Sequence, residues 1–330
     1  MDRRSFLLAG AGLALAPTIA APASAQPSRF AAAARYSAER LGVSLLVIEG
    51  GRTLFEDYPR PGGPARGWEL ASGTKSFTGV MAAAAVQDRL LAWDEPAAET
   101  LPEWRDDPRK RRITIRDILS LTSGVGGPIG RPPTYAEAIR APATYEPGQR
   151  FQYGATPFQI FGEIMRRKTG GDPLAYLRRR VFDPLDIRPT HWRRGADGMP
   201  HMPQGAGFTA RDWSVFGRFV IDGGRAGRRQ LVDREALDAC FAPSQANPGY
   251  GLSWWLLRPG LIPPGPGAGI PQDADLRGFT DFVMAAGAGN QRLYLSRQRD
   301  LIIVRQGRFR GLRRAPRWSD AEFLRLILDA

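Results

Sequence analysis

Ser72 and Lys75 place a hydroxyl and a primary amine three positions apart, where an apolar stretch takes on helical periodicity. At that spacing two side chains share a helix face, about one turn apart. A Lys amine in its neutral form can take the proton of a Ser hydroxyl and make it a nucleophile. Residue choice singles the position out. Of 46 basic residues only three are lysines, Lys75, Lys110 and Lys168. Arginine stays protonated in proteins, whereas a partly buried lysine is readily pushed towards neutrality. A chain that uses arginine nearly everywhere uses lysine here. Alone, Ser-x-x-Lys is a short pattern that also arises by chance, so its meaning depends on its surroundings.

The elements that must position this pair can be read on both sides of it. Residues 28–40 read as a helix. Two strand-like runs, 43–48 and 53–58, flank Gly50-Gly51 and form a β-hairpin. A Pro/Gly-rich loop over 59–67 leads to Ser72, after which Phe77, Val80, Met81, Ala84 and Leu90 make a helical stripe. The middle of the chain reads as helices and loops. Thr114 and Asp117 form a capping box, Thr156-Pro157 caps and opens a helix that Gly170-Gly171 stops, and Asp172-Pro173 opens another. Thr209 caps a helix that buries Trp213, Phe216 and Val220. A second hairpin, 292–295 with 301–306, precedes a last helix capped by Ser319 with Glu322. By composition, 259–275 is the least ordered internal stretch. Strands at both ends with helices between predict an α/β protein of the α+β type. Its antiparallel sheet joins both hairpins and is flanked by helices. The sheet part takes about 29–92 and 205–330, with a helical region inserted at about 93–204.

The first residues read as an address. Arg3-Arg4 precedes Phe6-Leu7-Leu8 and a mild Gly/Ala-rich apolar stretch, and Ala23-Ser24-Ala25 offers small residues for cleavage. The pattern resembles a twin-arginine signal over 1–25, which implies a folded protein exported to the periplasm or beyond, in contact with membrane only in transit. An uncleaved anchor is the alternative. Cys240 is the only cysteine, so an exported product has no internal disulfide.

Further motifs follow Ser72 and Lys75 in order: ITIRDILSLTSG at 113–124, YEPGQRFQY at 145–153 with FDPL at 182–185, YGLSWW at 250–255, and AGAGNQ at 286–291 leading into a strand. Together these resemble the serine hydrolases of the class C β-lactamase family. That group includes D-alanyl-D-alanine carboxypeptidases, esterases and 6-aminohexanoate-dimer hydrolases. The resemblance implies a β-lactamase/transpeptidase-like fold and an acyl-enzyme mechanism. Ser72 is then the nucleophile, Lys75 its proton acceptor and Tyr153 the partner acid/base. The oxyanion lies between the backbone N–H groups of Ser72 and Gln291, and Gly289, Asn290 and Trp254 face the substrate. Two departures stand out. Ala155 takes the place of the family's usual Asn. Ala288-Gly289-Asn290 takes the place of a strand motif that usually begins with Lys or His, so that side-chain cation is missing.

Other chemistries find little support. There is no Gly-x-Ser-x-Gly, His-Glu-x-x-His or P-loop pattern, and His191 and His201 have no partners at a metal-binding spacing. No metal or organic cofactor is implied. The net charge of +13 comes with basic clusters at 109–112, 178–180 and 308–317 that lack interleaved aromatics. They read as solvated surface and not as a nucleic-acid site. The expectation is an exported serine hydrolase cleaving an ester or amide, β-lactams included, of a small-molecule or peptide-like substrate. The alternative is a non-catalytic relative that binds envelope peptides or glycans in the same cleft.

Overall fold

The computed structural model describes residues 28–258, 277–309 and 317–330. The signal-like segment 1–25 and the whole 259–275 stretch lie outside the described residues. Helix α1 (Ala31–Glu39) leads into strands β1 (Gly42–Glu49) and β2 (Arg52–Asp57), which turn back on each other at Gly50-Gly51. Short strand β3 (Trp68–Glu69) precedes a 3₁₀ turn at Ala71–Thr74 and helix α2 (Lys75–Gln87). Next come α3 (Ile115–Leu119), α4 (Tyr135–Arg140), α5 (Thr156–Thr169) and α6 (Pro173–Leu177), then β4 (His191–Trp192) and β5 (Ala206–Phe208). Helix α7 (Ala210–Ile221), the small hairpin of β6 (Arg225–Ala226) and β7 (Arg229–Gln230), and α8 (Arg234–Asp238) follow. The chain then forms β8 (Trp255–Leu256), β9 (Phe282–Gly287), β10 (Gln291–Ser296), β11 (Leu301–Gly307) and α9 (Asp320–Leu328).

The main sheet has the order β2-β1-β11-β10-β9-β8, antiparallel throughout. The two hairpins meet where β1 pairs with β11, as the sequence predicts. Strands β1, β10 and β11 are almost wholly buried. Helices covering both faces of the sheet explain why these strands read as continuous apolar runs instead of alternating ones. Helix α7 lies on one face, where Gly217 approaches Leu293 and Leu295. Helices α1 and α9 pack together on the other, with Tyr36 and Tyr294 both against Phe323.

Most caps form as expected. Thr114, Thr209 and Ser319 each accept from the backbone N–H three residues on, and Gly170 ends α5 in a left-handed turn. Thr156 differs: it is the first helical residue, and Ala155 holds the cap position without a side-chain bond. Helix α2 is buried on nearly every side. Its Phe77 sits among Phe182, Phe208 and Phe216, with ring centres 4.5–5.2 Å away. This packing fixes the direction of the helix that carries Lys75.

One polar knot stands out in this interior. Asp320, at the start of α9, pairs with Arg292 of β10 at 2.7 Å, both almost fully buried. It also accepts from Tyr294 and from the Trp318 indole.

Candidate active site

Ser72 sits in the 3₁₀ turn that feeds α2, just after Ala71, whose φ of +47° is an uncommon conformation for a residue with a side chain. Such strain is held in place only where the surroundings dictate it. The nearest wall of the main sheet explains how. The end of β9 presses on this turn, and a Cβ at Gly287 would stand 2.0 Å from the Leu70 carbonyl oxygen and 2.9 Å from the Gly73 nitrogen. Only glycine allows that approach.

Lys75 opens α2, and its Nζ lies 3.0 Å from Ser72 Oγ and 3.0 Å from the Pro203 carbonyl oxygen. It is fully enclosed, and no carboxylate offsets the cost of burying its charge. Burial alone draws the amine down to about 7. The amine is also close to two aromatic faces, 4.8 Å from the ring centre of Tyr153 and 5.4 Å from that of Phe158. Tyr153 precedes α5 and stacks on Trp255 at 5.8 Å. Burial pushes its phenol up to about 12, opposed by Ser72 and by the positive charge of Arg292. The hydroxyl is buried and has no partner of hydrogen-bond geometry among the described residues. The Ser72 hydroxyl and the Lys75 amine are thus within hydrogen-bonding distance, and the Tyr153 ring lies beside the amine.

A cleft of about 370 Å³ opens beside Ser72, lined by Ala71, Ala288, Ile129, Phe309 and Arg193 among others. Ile129 and Phe309 are two of the few large apolar side chains left exposed. Arg193 is paired with Glu69.

Several expected positions fall elsewhere. Gln291 pairs with Gly287 across the β9–β10 hairpin, and its buried amide is taken up by the backbone of Gly307. It is Ala288 that borders the cleft with Ser72. Gly289 and Asn290 form the turn itself, at φ +78° and +56°, and their carbonyls accept from Arg305. Trp254 is fully buried, parallel to Phe216 at 6.2 Å and edge-on to Phe241. It is a core residue, and its neighbour Trp255 is the one beside Tyr153. The strand motif is therefore shifted by three positions from the sequence-based placement. Its close-packed glycine is Gly287, so the place of the usual Lys or His falls to Ala285, and the cation is absent there too.

Among the described residues, the backbone N–H groups of Ser72 and Ala288 donate to no other group. Sequence reasoning did not find Ala288, the Pro203 carbonyl or Arg292. Two glycines alternate at 287 and 289, and nothing local says which must be bare. No group of three or more His, Cys, Asp or Glu suited to a metal occurs among the described residues.

This chain belongs to the Beta-lactamase family, whose model matches residues 28–305. The resemblance carried by the motifs holds. It is 28% identical to the lovastatin esterase of Penicillium rubens over 170 residues, 42% of each chain, so the match spans well under two thirds of that relative. Among solved structures it resembles a Bacillus anthracis protein assigned as a 6-aminohexanoate-dimer hydrolase, with TM-score 0.72 and 15% identity over 90% of this chain and 80% of that one. It also resembles EstCE1, a hydrolase with promiscuous acyltransferase activity, with TM-score 0.69 and 16% identity over 91% and 97%. At such identities these likenesses establish the β-lactamase/transpeptidase-like fold.

Proposed function

We propose that this protein is an exported serine hydrolase that opens an ester or amide bond through an acyl-Ser72 intermediate. The observation that carries the reading is the 3.0 Å approach of Lys75 Nζ to Ser72 Oγ with the amine held near neutrality. With burial drawing Lys75 down to about 7, the neutral amine is accessible at neutral pH and takes the Ser72 proton as Oγ attacks the substrate carbonyl. The resulting oxyanion is received by the N–H groups of Ser72 and Ala288. Tyr153, protonated at this pH, gives its proton to the leaving oxygen or nitrogen and is reprotonated from Lys75. Water then attacks the acyl carbon as its proton passes to Lys75, and the Lys75 ammonium returns a proton to Ser72 Oγ as it leaves, which releases the acid and restores the neutral amine.

The apolar flank of Ile129 and Phe309 favours an uncharged acyl or leaving group. Ala155 and the missing strand cation disfavour the carboxylate-bearing β-lactams and peptidoglycan stems. The names of the esterase and hydrolase relatives agree with this choice. Export rests on the paired arginines and small-residue site within residues 1–25. A fluorophosphonate probe followed by intact-mass measurement tests the reading. One adduct is expected on the wild-type protein and none on Ser72→Ala, and labelling that persists in the variant moves the nucleophile elsewhere. A labelled protein with no turnover on neutral esters, amides or cephalosporins fits the binding relative instead.

A further inference from the structure

We propose that Arg292 is a positioning residue for the oxyanion hole, polarising the Gly287–Ala288 peptide from behind the sheet so that its N–H meets the developing negative charge. The proposal rests on the acyl-Ser72 reading. Its starting point is where two buried guanidiniums spend their donors. Arg292 Nη1 donates to the carbonyls of Gly287 at 3.3 Å and Gln291 at 3.0 Å. Arg305 Nη1 donates to those of Gly289 at 2.7 Å and Asn290 at 3.0 Å. Four of the five carbonyls from 287 to 291 are therefore held by fixed cations. The residue between the first two, Ala288, is the one that borders the cleft.

The geometry of a peptide gives this bracing a chemical meaning. The carbonyl of Gly287 and the N–H of Ala288 belong to one planar, conjugated unit. A charge-assisted bond to the oxygen draws electron density from the nitrogen and makes its N–H a stronger donor. That N–H has no acceptor among the described residues and is left for the substrate. Donors aimed at an oxyanion contribute most when they are fixed before the charge appears. Arg292 is fixed by Asp320, which is itself held by Tyr294 and Trp318. A plain hairpin turn does not need a buried ion pair, which is expensive to desolvate. The field of Arg292 also reaches the cleft, since it helps to lower the Tyr153 phenol. β9 has no cationic side chain at the motif, and the neighbouring strand supplies the charge through the backbone.

The double variant Arg292→Met/Asp320→Asn removes both charges and leaves neither orphaned. The readouts are kcat and KM on a neutral ester and the infrared stretch of the acyl-enzyme carbonyl made with ¹³C-labelled acyl donor. The expected result is a kcat loss of at least about tenfold, a KM within about twofold, and a stretch moved to higher wavenumber, because a weaker oxyanion hole polarises the carbonyl less. A folded double variant with an unshifted stretch and wild-type kcat overturns the proposal and leaves acyl-Ser72 chemistry standing. If the double variant does not fold, Arg292→Lys decides. Its single ammonium keeps the Asp320 pair but cannot also reach Gly287, so the stretch must still move, and an unmoved stretch overturns the proposal. A wild-type protein that forms no acyl adduct takes down both readings.

Discussion

Lys75 and Arg292 are both buried basic residues, yet their surroundings leave them in opposite states. Lys75 is enclosed with a hydroxyl and a carbonyl and no carboxylate, so burial strips its charge and leaves an amine near neutrality. Arg292 is equally enclosed but meets Asp320 at 2.7 Å, and its charge is retained. Burial without a counter-ion makes a base, and burial with one makes a permanent electrostatic fixture. The choice of residue type matches. A buried lysine can give up its proton, whereas an arginine keeps its own.

Lys75→Arg is the sharpest way to break this contrast. It keeps the charge and removes the base, and kcat/KM should fall by about 10⁴-fold, the upper end of what proton transfer contributes. An active Lys75→Arg enzyme would show that proton acceptance lies elsewhere. Asp320→Asn attacks the other member. It leaves a buried guanidinium without its carboxylate and should cost about 3–5 kcal/mol in urea unfolding. A loss under about 1 kcal/mol would mean that Arg292 does not depend on this partner. The pH profile separates the two cations without mutation. Activity should rise about tenfold per unit up to pH 7 as Lys75 loses its proton, then level off. Stability should move the same way. The folded chain releases this proton near 7 and the unfolded chain near 10.5, so the unfolded state binds more protons between them and stability grows with pH across that window. Lys75→Met should lose both slopes, which titrated activity and melting curves can check. The smallest effect is expected at the cleft mouth. Phe309→Ala should raise KM for an apolar ester by less than about tenfold at unchanged kcat, since the side chain is half exposed.

What the sequence reveals divides along the same line. Ser72, Lys75 and the caps at Thr114, Thr209 and Ser319 depend on neighbours within one helical turn, and all can be read directly. The two hairpins are also evident, because each turn and its flanking runs are contiguous. Tyr153 is placed by the resemblance alone, since its contacts with Lys75 and Trp255 bridge distant segments. The hairpin at 287–291 exceeds local reasoning. Which glycine faces the nucleophile is decided by how far β9 extends against the Ser72 turn, a register set by pairing with β10 and not by the residues themselves. Trp254 and Trp255 pose the same problem. These neighbours at the start of β8 point different ways, and one packs on Phe216 while the other packs on Tyr153. Arg292 gave no signal because its carboxylate lies 28 residues further on, in another element.

The site of Asp320 in the chain sets a condition on biosynthesis. Ser72 and Lys75 emerge early from the ribosome, but the carboxylate that steadies the far wall of their cleft is made almost 250 residues later. A growing chain therefore carries a nucleophile with no finished receptor for the charge it creates. The wall opposite Ser72 is therefore complete only once the last helix has been made, so a chain ending before α9 lacks it.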